Sequence, residues 1–227
     1  MVLKGQYLER MAIIDAGDVT LEGLYHRGAL EPPVVIVPPH PAYGGSMDST
    51  VVAEVAWAVA RAGHASLRFN YRGIGASQGV WAAERDAEDL EAVVRHLAET
   101  TATERVALAG YSYGAWVAAA VAGVRPALPA LILVSPPVTR FDFPTALAAL
   151  RQRPGGAPRT LFVTGECDEI APPEAVCAAA SALGDAACVE VVAGADHGYV
   201  RGLPEVGALC ARFLGAGGAE GAALTAR

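Results

Sequence analysis

Ser112 stands between two glycines in residues 110–114, Gly-Tyr-Ser-Tyr-Gly. A short apolar segment typical of a strand, residues 105–109, leads into it, and an alanine-rich segment typical of a buried helix, residues 115–122, follows it. A serine at so sharp a strand-to-helix turn exposes its hydroxyl at the carboxyl end of a sheet. Glycine two positions away on each side removes the clash that a bulkier residue would cause there. This spacing predicts that Ser112 is a nucleophile.

The same five-residue pattern occurs again at residues 75–79, with Ser77 in the middle. No strand-like segment leads directly into this second copy, and a polar helix start follows it only several residues later. Because the pattern indicates a nucleophile when it joins a strand to a helix, the context favours Ser112. We interpret Ser77 as a loop serine.

A serine hydroxyl becomes a good nucleophile when a base accepts its proton, and His197 is the predicted base among the five histidines. It follows the last strand-like segment, residues 188–192, and open α/β sheets bind their ligands at the carboxyl ends of the strands. The other histidines are interpreted as a surface residue of a polar helix, a structural residue at a strand start, a hairpin residue without an evident partner, and a residue that shapes a loop: His96, His64, His26 and His40.

The base needs a carboxylate that holds its tautomer, and residues 165–172 offer three acidic side chains. We favour Asp168, with Glu166 as the alternative and Glu169 as a solvated residue. The chain order is then serine, aspartate, histidine, which is the order of the α/β-hydrolases.

An oxyanion hole requires two N–H groups that point to the place where negative charge develops. The residue after the nucleophile, Tyr113, supplies the first, at the N-terminus of a helix whose dipole helps. The second is expected from residues 38–45, the loop after a buried strand. Pro41 has no N–H, so Ala42 or Tyr43 is the predicted donor. His40 is expected to shape this loop.

Several aromatic side chains are candidates for the substrate pocket, although about half of such residues belong to a core in folded proteins. The predicted substrate-binding residues are His40, Trp81, Phe141 and Tyr199. Tyr43, Tyr113 and Phe143 are further aromatic candidates of the same kind.

Strand-like and helix-like segments alternate along most of the chain. Apolar–polar alternation in residues 10–14 and 19–25 predicts an antiparallel hairpin, and residues 34–37 form the first continuous apolar run. The further predicted strands are 66–70, 106–108, 131–134, 160–164 and 188–192, and the helices are 49–62, 82–99, 113–123, 144–151, 172–183 and 202–214. This order predicts an α/β fold with a mainly parallel, twisted sheet of about eight strands and helices on both faces.

The connection from residue 135 to residue 159 has room for one short helix. We therefore expect a minimal cap or no cap over the site. Residues 1–214 are predicted to form a single domain, and residues 215–227, which are rich in glycine and alanine, a disordered tail.

The 227 residues carry a net charge of −7, which argues against nucleic acid or an anionic membrane surface as partners. The N-terminal segment lacks the apolar core of a signal peptide, and charged residues, proline or glycine interrupt every apolar run. The four cysteines show no metal-site spacing, and we interpret them as structural thiols in a reducing compartment. A cytoplasmic location is expected.

Four segments together resemble the α/β-hydrolase superfamily, in particular the small, lid-less bacterial esterase-type hydrolases related to dienelactone hydrolases. The segments are residues 39–48, 67–77, 165–168 and 194–197. The resemblance implies an α/β-hydrolase fold over residues 30–214 and a structural loop around Ser77.

The same resemblance implies that Arg72 ties loops together and that Ser112, Asp168 and His197 are the catalytic triad. Dienelactone hydrolases have a cysteine where this chain has Ser112, so their substrate is not implied.

These residues predict hydrolysis of small-molecule carboxylic esters with short to medium acyl chains through an acyl-enzyme, which requires neither a metal nor a cofactor. A thioesterase or a peptidase would use the same side chains. A catalytically silent ligand-binding protein is the alternative from another class.

Overall fold

The computed structural model describes residues 8–216, and within them all strands join one sheet in the order β1-β2-β4-β3-β5-β6-β7-β8. The first two strands pair antiparallel as the predicted hairpin, β2 pairs antiparallel with β4, and the remaining neighbours are parallel. The strands are β1 Arg10–Asp15, β2 Thr20–His26, β3 Leu30–Val37, β4 His64–Phe69, β5 Ala107–Tyr111, β6 Ala130–Val134, β7 Arg159–Gly165 and β8 Ala187–Val192.

Helices cover both faces of this sheet. They are α1 Thr50–Arg61, α2 Asp86–Thr101, α3 Tyr113–Val124, α4 Phe143–Gln152, α5 Pro173–Ser181 and α6 Leu203–Gly215. One apolar core lies between the sheet and α1 and α6, and the other lies between the sheet and α2 to α5. The predicted α/β architecture is confirmed.

The central strands explain why the sequence pattern was informative. Every residue of β5 and β6 is buried, so both faces of each strand require apolar side chains and the segments are continuous apolar runs. The antiparallel β1 alternates between buried and exposed residues instead, since its outer face has no helix over it.

Parallel pairing brings the carboxyl ends of β3, β5, β7 and β8 to one edge of the sheet. The loops that leave these ends hold the predicted site residues: the 38–45 loop follows β3, Ser112 follows β5, Asp168 follows β7 and His197 follows β8. The topology alone therefore gathers four distant segments at one place.

The connection from β6 to β7 packs along the side of the domain and forms no cap within residues 8–216. Its helix α4 lies so close to α3 that a Cβ atom on Gly123 would stand 2.8 Å from the Cβ of Ala149. Gly215 is the last residue of α6, and residues 217–227 of the predicted tail lie outside the described residues. No helix in residues 8–216 is long and apolar enough to cross a bilayer.

Candidate active site

Ser112 occupies the turn between β5 and α3 with a left-handed backbone, φ 54° and ψ −120°. Its flanking glycines allow the turn to close. A Cβ atom on Gly110 would stand 2.2 Å from the carbonyl oxygen of Gly114, and one on Gly114 would stand 2.3 Å from that of Val37. Both distances are far below van der Waals contact, so side chains at these positions are excluded. The strained backbone is held by the sheet and presents the hydroxyl at the sheet edge.

His197 links the serine to a carboxylate. Its Nε2 lies 3.0 Å from the Oγ of Ser112, and its Nδ1 lies 2.9 Å from Oδ2 and 3.0 Å from Oδ1 of Asp168. The loop of His197 is held in place by Tyr111, whose hydroxyl donates to the His197 carbonyl at 2.9 Å. The three side chains thus form one hydrogen-bonded series that ends on the serine oxygen.

The Asp168 carboxylate is buried and accepts several hydrogen bonds. The N–H groups of Ile170 and Ala171 donate to Oδ1 at 2.9 and 2.8 Å. Burial alone would raise the pKa of Asp168, but hydrogen bonds from His197, Ser135 and the amide of Ala171 outweigh it. The pKa therefore lies below its ordinary value, and the carboxylate stays ionised beside the imidazole.

The structure distinguishes Asp168 from the two other acidic residues of its loop. Glu166 is exposed and accepts a hydrogen bond from the N–H of Gly194 at 2.7 Å, which ties the β7 and β8 loops together. Glu169 is exposed, as predicted. Asp168 is thus the acid of this loop that lies against His197.

The N–H of Tyr113 opens α3, where the first turn of a helix has no internal acceptor for its N–H groups, and no side chain caps it. It is therefore able to donate to an oxyanion. The N–H of Ala42 donates to Nδ1 of His40 at 3.1 Å, and the N–H of Tyr43 donates to the His40 carbonyl at 3.1 Å. Both predicted donors of the 38–45 loop are thus engaged inside the short helical turn Pro41–Tyr43.

His40 is the centre of an aromatic cluster beside Ser112. Its ring centroid lies 4.5 Å from that of Tyr113, 5.1 Å from those of Trp81 and Tyr43, and 6.5 Å from that of Phe141. Three of the four predicted substrate-binding residues, His40, Trp81 and Phe141, therefore lie together.

The prediction that Tyr199 lines the substrate pocket is corrected by its burial. It is 1% exposed and its hydroxyl lies 2.8 Å from the Oγ of Ser135, inside the protein rather than on the pocket surface. Phe143, also considered for the pocket, is 1% exposed and belongs to the core.

Comparison with solved structures shows that other proteins share this fold. An α/β serine hydrolase homologue from Coxiella burnetii is 33% identical, matches 90% of this chain and 97% of its own, and superimposes with a TM-score of 0.79. The chain belongs to the α/β-hydrolase superfamily. A lid-less α/β serine hydrolase from Xanthomonas campestris has the same fold, with 24% identity over 92% of this chain and 94% of its own and a TM-score of 0.78.

Two sequence comparisons each match about half of this α/β hydrolase. The family model described as serine aminopeptidase, S33, matches residues 41–153. An uncharacterized protein of Rickettsia prowazekii (strain Madrid E) is 31% identical over 130 residues, which are 54% of this chain and 55% of that protein. The match to this curated relative thus spans about half of its length.

The second glycine–serine motif of this α/β hydrolase is structural. The Oγ of Ser77 donates to the carbonyl of Asn70 at 2.8 Å and accepts from the N–H of Glu22 at 3.0 Å, so it joins β2 to the loop after β4. In the same loop Arg72 binds Asp89 through its main-chain N–H and its guanidinium, at 2.9, 2.9 and 2.6 Å. Arg72 therefore ties its loop to α2.

His26 differs from its prediction, because the structure gives it partners. It is buried, its Nδ1 lies 3.2 Å from the Oγ of Ser66, and its Nε2 lies 3.9 Å from a carboxylate oxygen of Glu9. His64 starts β4 and its Nδ1 lies 3.0 Å from the carbonyl of Pro32, which is the predicted structural role.

Sequence reasoning missed Ser135 and Asp86. Ser135 directly follows β6, at the sheet edge that carries the site, and has a left-handed φ of 45°. Its position after a strand end was a usable signal. Asp86 starts α2 and lies under Tyr113, and its sequence context resembles that of any acidic residue in a first helical turn.

Proposed function

We propose that this α/β hydrolase cleaves carboxylic esters of short to medium acyl chains through a covalent acyl-enzyme, with Ser112 as the nucleophile. The observation that carries the proposal is the hydrogen-bonded series from Ser112 through His197 to Asp168, in which both ring nitrogens of the imidazole are engaged. A base within hydrogen-bonding distance of the serine and oriented by a carboxylate is the arrangement that activates a hydroxyl.

Acylation begins when the Oγ of Ser112 attacks the ester carbonyl carbon and its proton passes to Nε2 of His197. The imidazolium that results is stabilised by the buried Asp168 carboxylate, which stays ionised. Collapse of the tetrahedral intermediate breaks the bond to the alcohol, and the alcohol oxygen takes the proton from His197. Water then attacks the acyl-enzyme by the same proton transfers, and the acid leaves.

The negative charge on the carbonyl oxygen is stabilised by the N–H of Tyr113 and by a second N–H of the 38–45 loop, Ala42 or Tyr43. Because these two loop N–H groups already donate to His40, the oxyanion must share or displace one of these bonds. The orientation of His40 is therefore coupled to the formation of the oxyanion hole.

An open site supports the preference for short acyl chains. The β6–β7 connection packs against α3 and forms no cap, so a long acyl chain would remain in water beyond the aromatic cluster around His40. Binding energy from chain burial then stops growing after the first few carbons, since each further methylene gains about 0.8 kcal/mol only where it is buried.

The test is hydrolysis of p-nitrophenyl esters from acetate to palmitate, together with labelling by a fluorophosphonate probe. We expect turnover that falls with chain length, and loss of both turnover and labelling in Ser112→Ala. The matched control is Ser77→Ala, the serine of the second motif, which should still be labelled. Labelling that persists in Ser112→Ala would overturn the assignment.

A peptidase is the second candidate, because the matching family model is described as serine aminopeptidase. An aminopeptidase has to bind a free ammonium group, and three exposed acidic residues lie on the site loops: Glu166, Glu169 and Asp196. Glu166 accepts from the N–H of Gly194, and Asp196 accepts from the N–H of Val200 at 3.1 Å. One accepted hydrogen bond leaves other lone pairs of each carboxylate able to bind an ammonium group. Aminoacyl p-nitroanilides cleaved faster than the acetate ester would favour the peptidase.

Two further readings have their own outcomes in the same assay. Faster cleavage of an acyl thioester than of the matching oxygen ester would indicate a thioesterase. Absence of labelling in the wild-type protein would indicate a silent ligand-binding protein. We propose a small-molecule substrate and a cytoplasmic location. The four free thiols support the cytoplasmic location, because a reducing compartment keeps thiols unpaired.

A further inference from the structure

Asp86 is a buried carboxyl group to which the mechanism above assigns no role. It is 1% exposed, and it accepts a hydrogen bond from the hydroxyl of Tyr113 at 2.7 Å and another from the indole N–H of Trp81 at 3.1 Å. Within residues 8–216 no cationic side chain forms an ion pair with it, because the nearby Arg72 pairs with Asp89 and Asp18. A buried carboxyl without a cation is costly, so its presence calls for a reason beyond packing.

The two donors come from different segments and meet at one ring. Trp81 lies in the connection between β4 and α2, whereas Tyr113 is the first residue of α3 and follows Ser112 directly. Both aromatic rings contact the imidazole of His40, with centroid distances of 5.1 and 4.5 Å. One carboxyl group therefore fixes two of the side chains that surround His40.

His40 transmits this constraint to the 38–45 loop, since its Nδ1 accepts the N–H of Ala42. We propose that Asp86 is a positioning residue of the oxyanion hole, holding Trp81 and Tyr113 against His40 and so setting the N–H groups of the 38–45 loop relative to Ser112. The inference rests on the proposed function for its catalytic consequence, but the coupling among these side chains does not depend on any substrate.

The charge state of Asp86 offers a way to observe this coupling. Burial raises the pKa of Asp86 to about 6, opposed by the hydrogen bonds from Tyr113 and Trp81. The other groups that face it are Tyr71, Asp89 and Arg72. Burial raises the pKa of Tyr71 and the pKa of Tyr113 above the ordinary tyrosine value. The hydrogen bond to Asp89 raises the pKa of Arg72. Tyr71, Tyr113 and Arg72 therefore do not titrate in the weakly acidic range.

The kinetic experiment compares Asp86→Ala, Asp86→Asn, Tyr113→Phe and Trp81→Phe by the rate of fluorophosphonate labelling and by kcat and KM for p-nitrophenyl acetate. We expect Asp86→Ala to lower kcat and the labelling rate about 10–100-fold with KM changed less than about 3-fold, since a small displacement of a catalytic group has effects of this size. Asp86→Asn keeps an acceptor for Trp81 and an N–H₂ for Tyr113, so it should restore most of the rate. Glu84→Gln, an exposed acid of the same segment, is the matched control.

Two results would overturn the proposal: wild-type kcat and labelling in Asp86→Ala, or effects of Asp86→Ala and Tyr113→Phe that multiply fully in the double variant. Residues that act through one contact are expected to be non-additive. An unfolded Asp86→Ala leaves the decision to Asp86→Asn and Tyr113→Phe, which preserve the side-chain shapes.

A spectroscopic experiment separates this inference from the proposed function. In a Trp57→Phe, Trp116→Phe background the remaining Trp81 reports on Asp86, and we expect its fluorescence to change with a midpoint near pH 6. His40 also contacts Trp81, and burial lowers the pKa of its imidazole, so it contributes a change of its own. The part of the change that vanishes when Asp86→Asn is added belongs to Asp86, since His40 is retained in that variant. Absence of the transition in the protein that retains Asp86 would contradict the coupling, whether or not the enzyme cleaves esters.

Discussion

The hydroxyl groups of Ser135 and Tyr199 lie 2.8 Å apart inside the protein, and the Ser135 hydroxyl helps to hold the pKa of Asp168 below its ordinary value. Both residues have a left-handed backbone, with φ values of 45° and 53°. Since a carboxylate only accepts, Ser135 lowers this pKa by donating toward Asp168, and its oxygen is then able to accept from Tyr199. Ser135 and Tyr199 thus support the ionised form of Asp168 in addition to His197.

Removal of the Ser135 hydroxyl should weaken the protein and its tolerance of acid. The pKa of Asp168 is held below its ordinary value, so the ionised carboxylate contributes stability that is lost as pH falls through the folded-state pKa. Ser135→Ala should lower the free energy of unfolding by about 1–3 kcal/mol at neutral pH. Acid unfolding should also begin at a higher pH.

Thermal unfolding measured from pH 2 to pH 7 checks this prediction. The matched control is Ser181→Ala, because Ser181 is exposed and its hydroxyl donates within its own helix. An unchanged acid transition in Ser135→Ala would remove Ser135 from the support of Asp168.

Replacement of Asp168 by asparagine should lower kcat about 10³–10⁴-fold, because the amide no longer holds the imidazole in the tautomer that accepts the serine proton. KM should change little, since Asp168 lies behind His197 and away from bound substrate. The measurement is steady-state hydrolysis of p-nitrophenyl acetate. The matched control is Glu169→Gln at the exposed neighbouring residue, and its kcat should equal that of the wild type. A large loss of kcat in Glu166→Gln would instead favour Glu166 as the acid.

The buried Asp86 should make the protein less stable as pH rises. Its folded-state pKa is about 6, above the ordinary value, so the folded protein binds this proton more tightly than the unfolded chain. The contribution to the free energy of unfolding is therefore present at low pH and is lost as pH rises through about 4 to 6. Asp86→Asn should remove this loss and raise the melting temperature relative to wild type at pH 8 but not at pH 3. A parallel pair of stability curves would contradict it.

The two arginines of the β4–α2 connection should differ sharply. Arg72 pairs with Asp89, whose side chain is 0% exposed, so Arg72→Met leaves a buried charge alone and should cost about 3–5 kcal/mol. Arg85 binds the exposed Asp18 and Glu88, and Arg85→Met should cost less than about 1 kcal/mol. Denaturant unfolding of the two variants measures both losses in the free energy of unfolding. Equal losses would show that the burial of Asp89 does not determine the cost of removing Arg72.

The glycines that flank the Ser112 turn should tolerate no side chain. Gly110→Ala and Gly114→Ala both place a Cβ within 2.3 Å of a carbonyl oxygen, so they should lose about 3 kcal/mol or more or fail to fold. Gly215→Ala at the end of α6, where nothing lies within 4 Å, is the matched control and should be neutral or slightly stabilising. Normal folding of Gly110→Ala would mean that the turn can relax.

Local sequence patterns were sufficient for the architecture and for the strand-to-helix turn that holds Ser112. Strands buried on both faces, such as β5, must be continuous apolar runs, and Gly110 is required by a contact with Gly114, a few residues away. The loop of His197 was also predictable, because strand order in a parallel sheet determines which loops meet at its carboxyl edge.

What only the tertiary structure decided is how segments far apart in the chain satisfy one another's polar groups. Asp168 is buried against His197, whereas Glu166 binds the N–H of Gly194. The N–H groups of Ala42 and Tyr43 are not free donors, because both bind His40. These distinctions depend on distances between loops.

Tyr199 and Asp86 are two residues whose burial the sequence did not reveal. An aromatic residue next to the histidine loop belongs to the interior, while an acidic residue at a helix start turns inward to bind Tyr113. The physical reason is that burial and hydrogen-bond partners belong to the packed arrangement of the whole domain, whereas sequence patterning reflects the period of the strand or helix on which a residue lies.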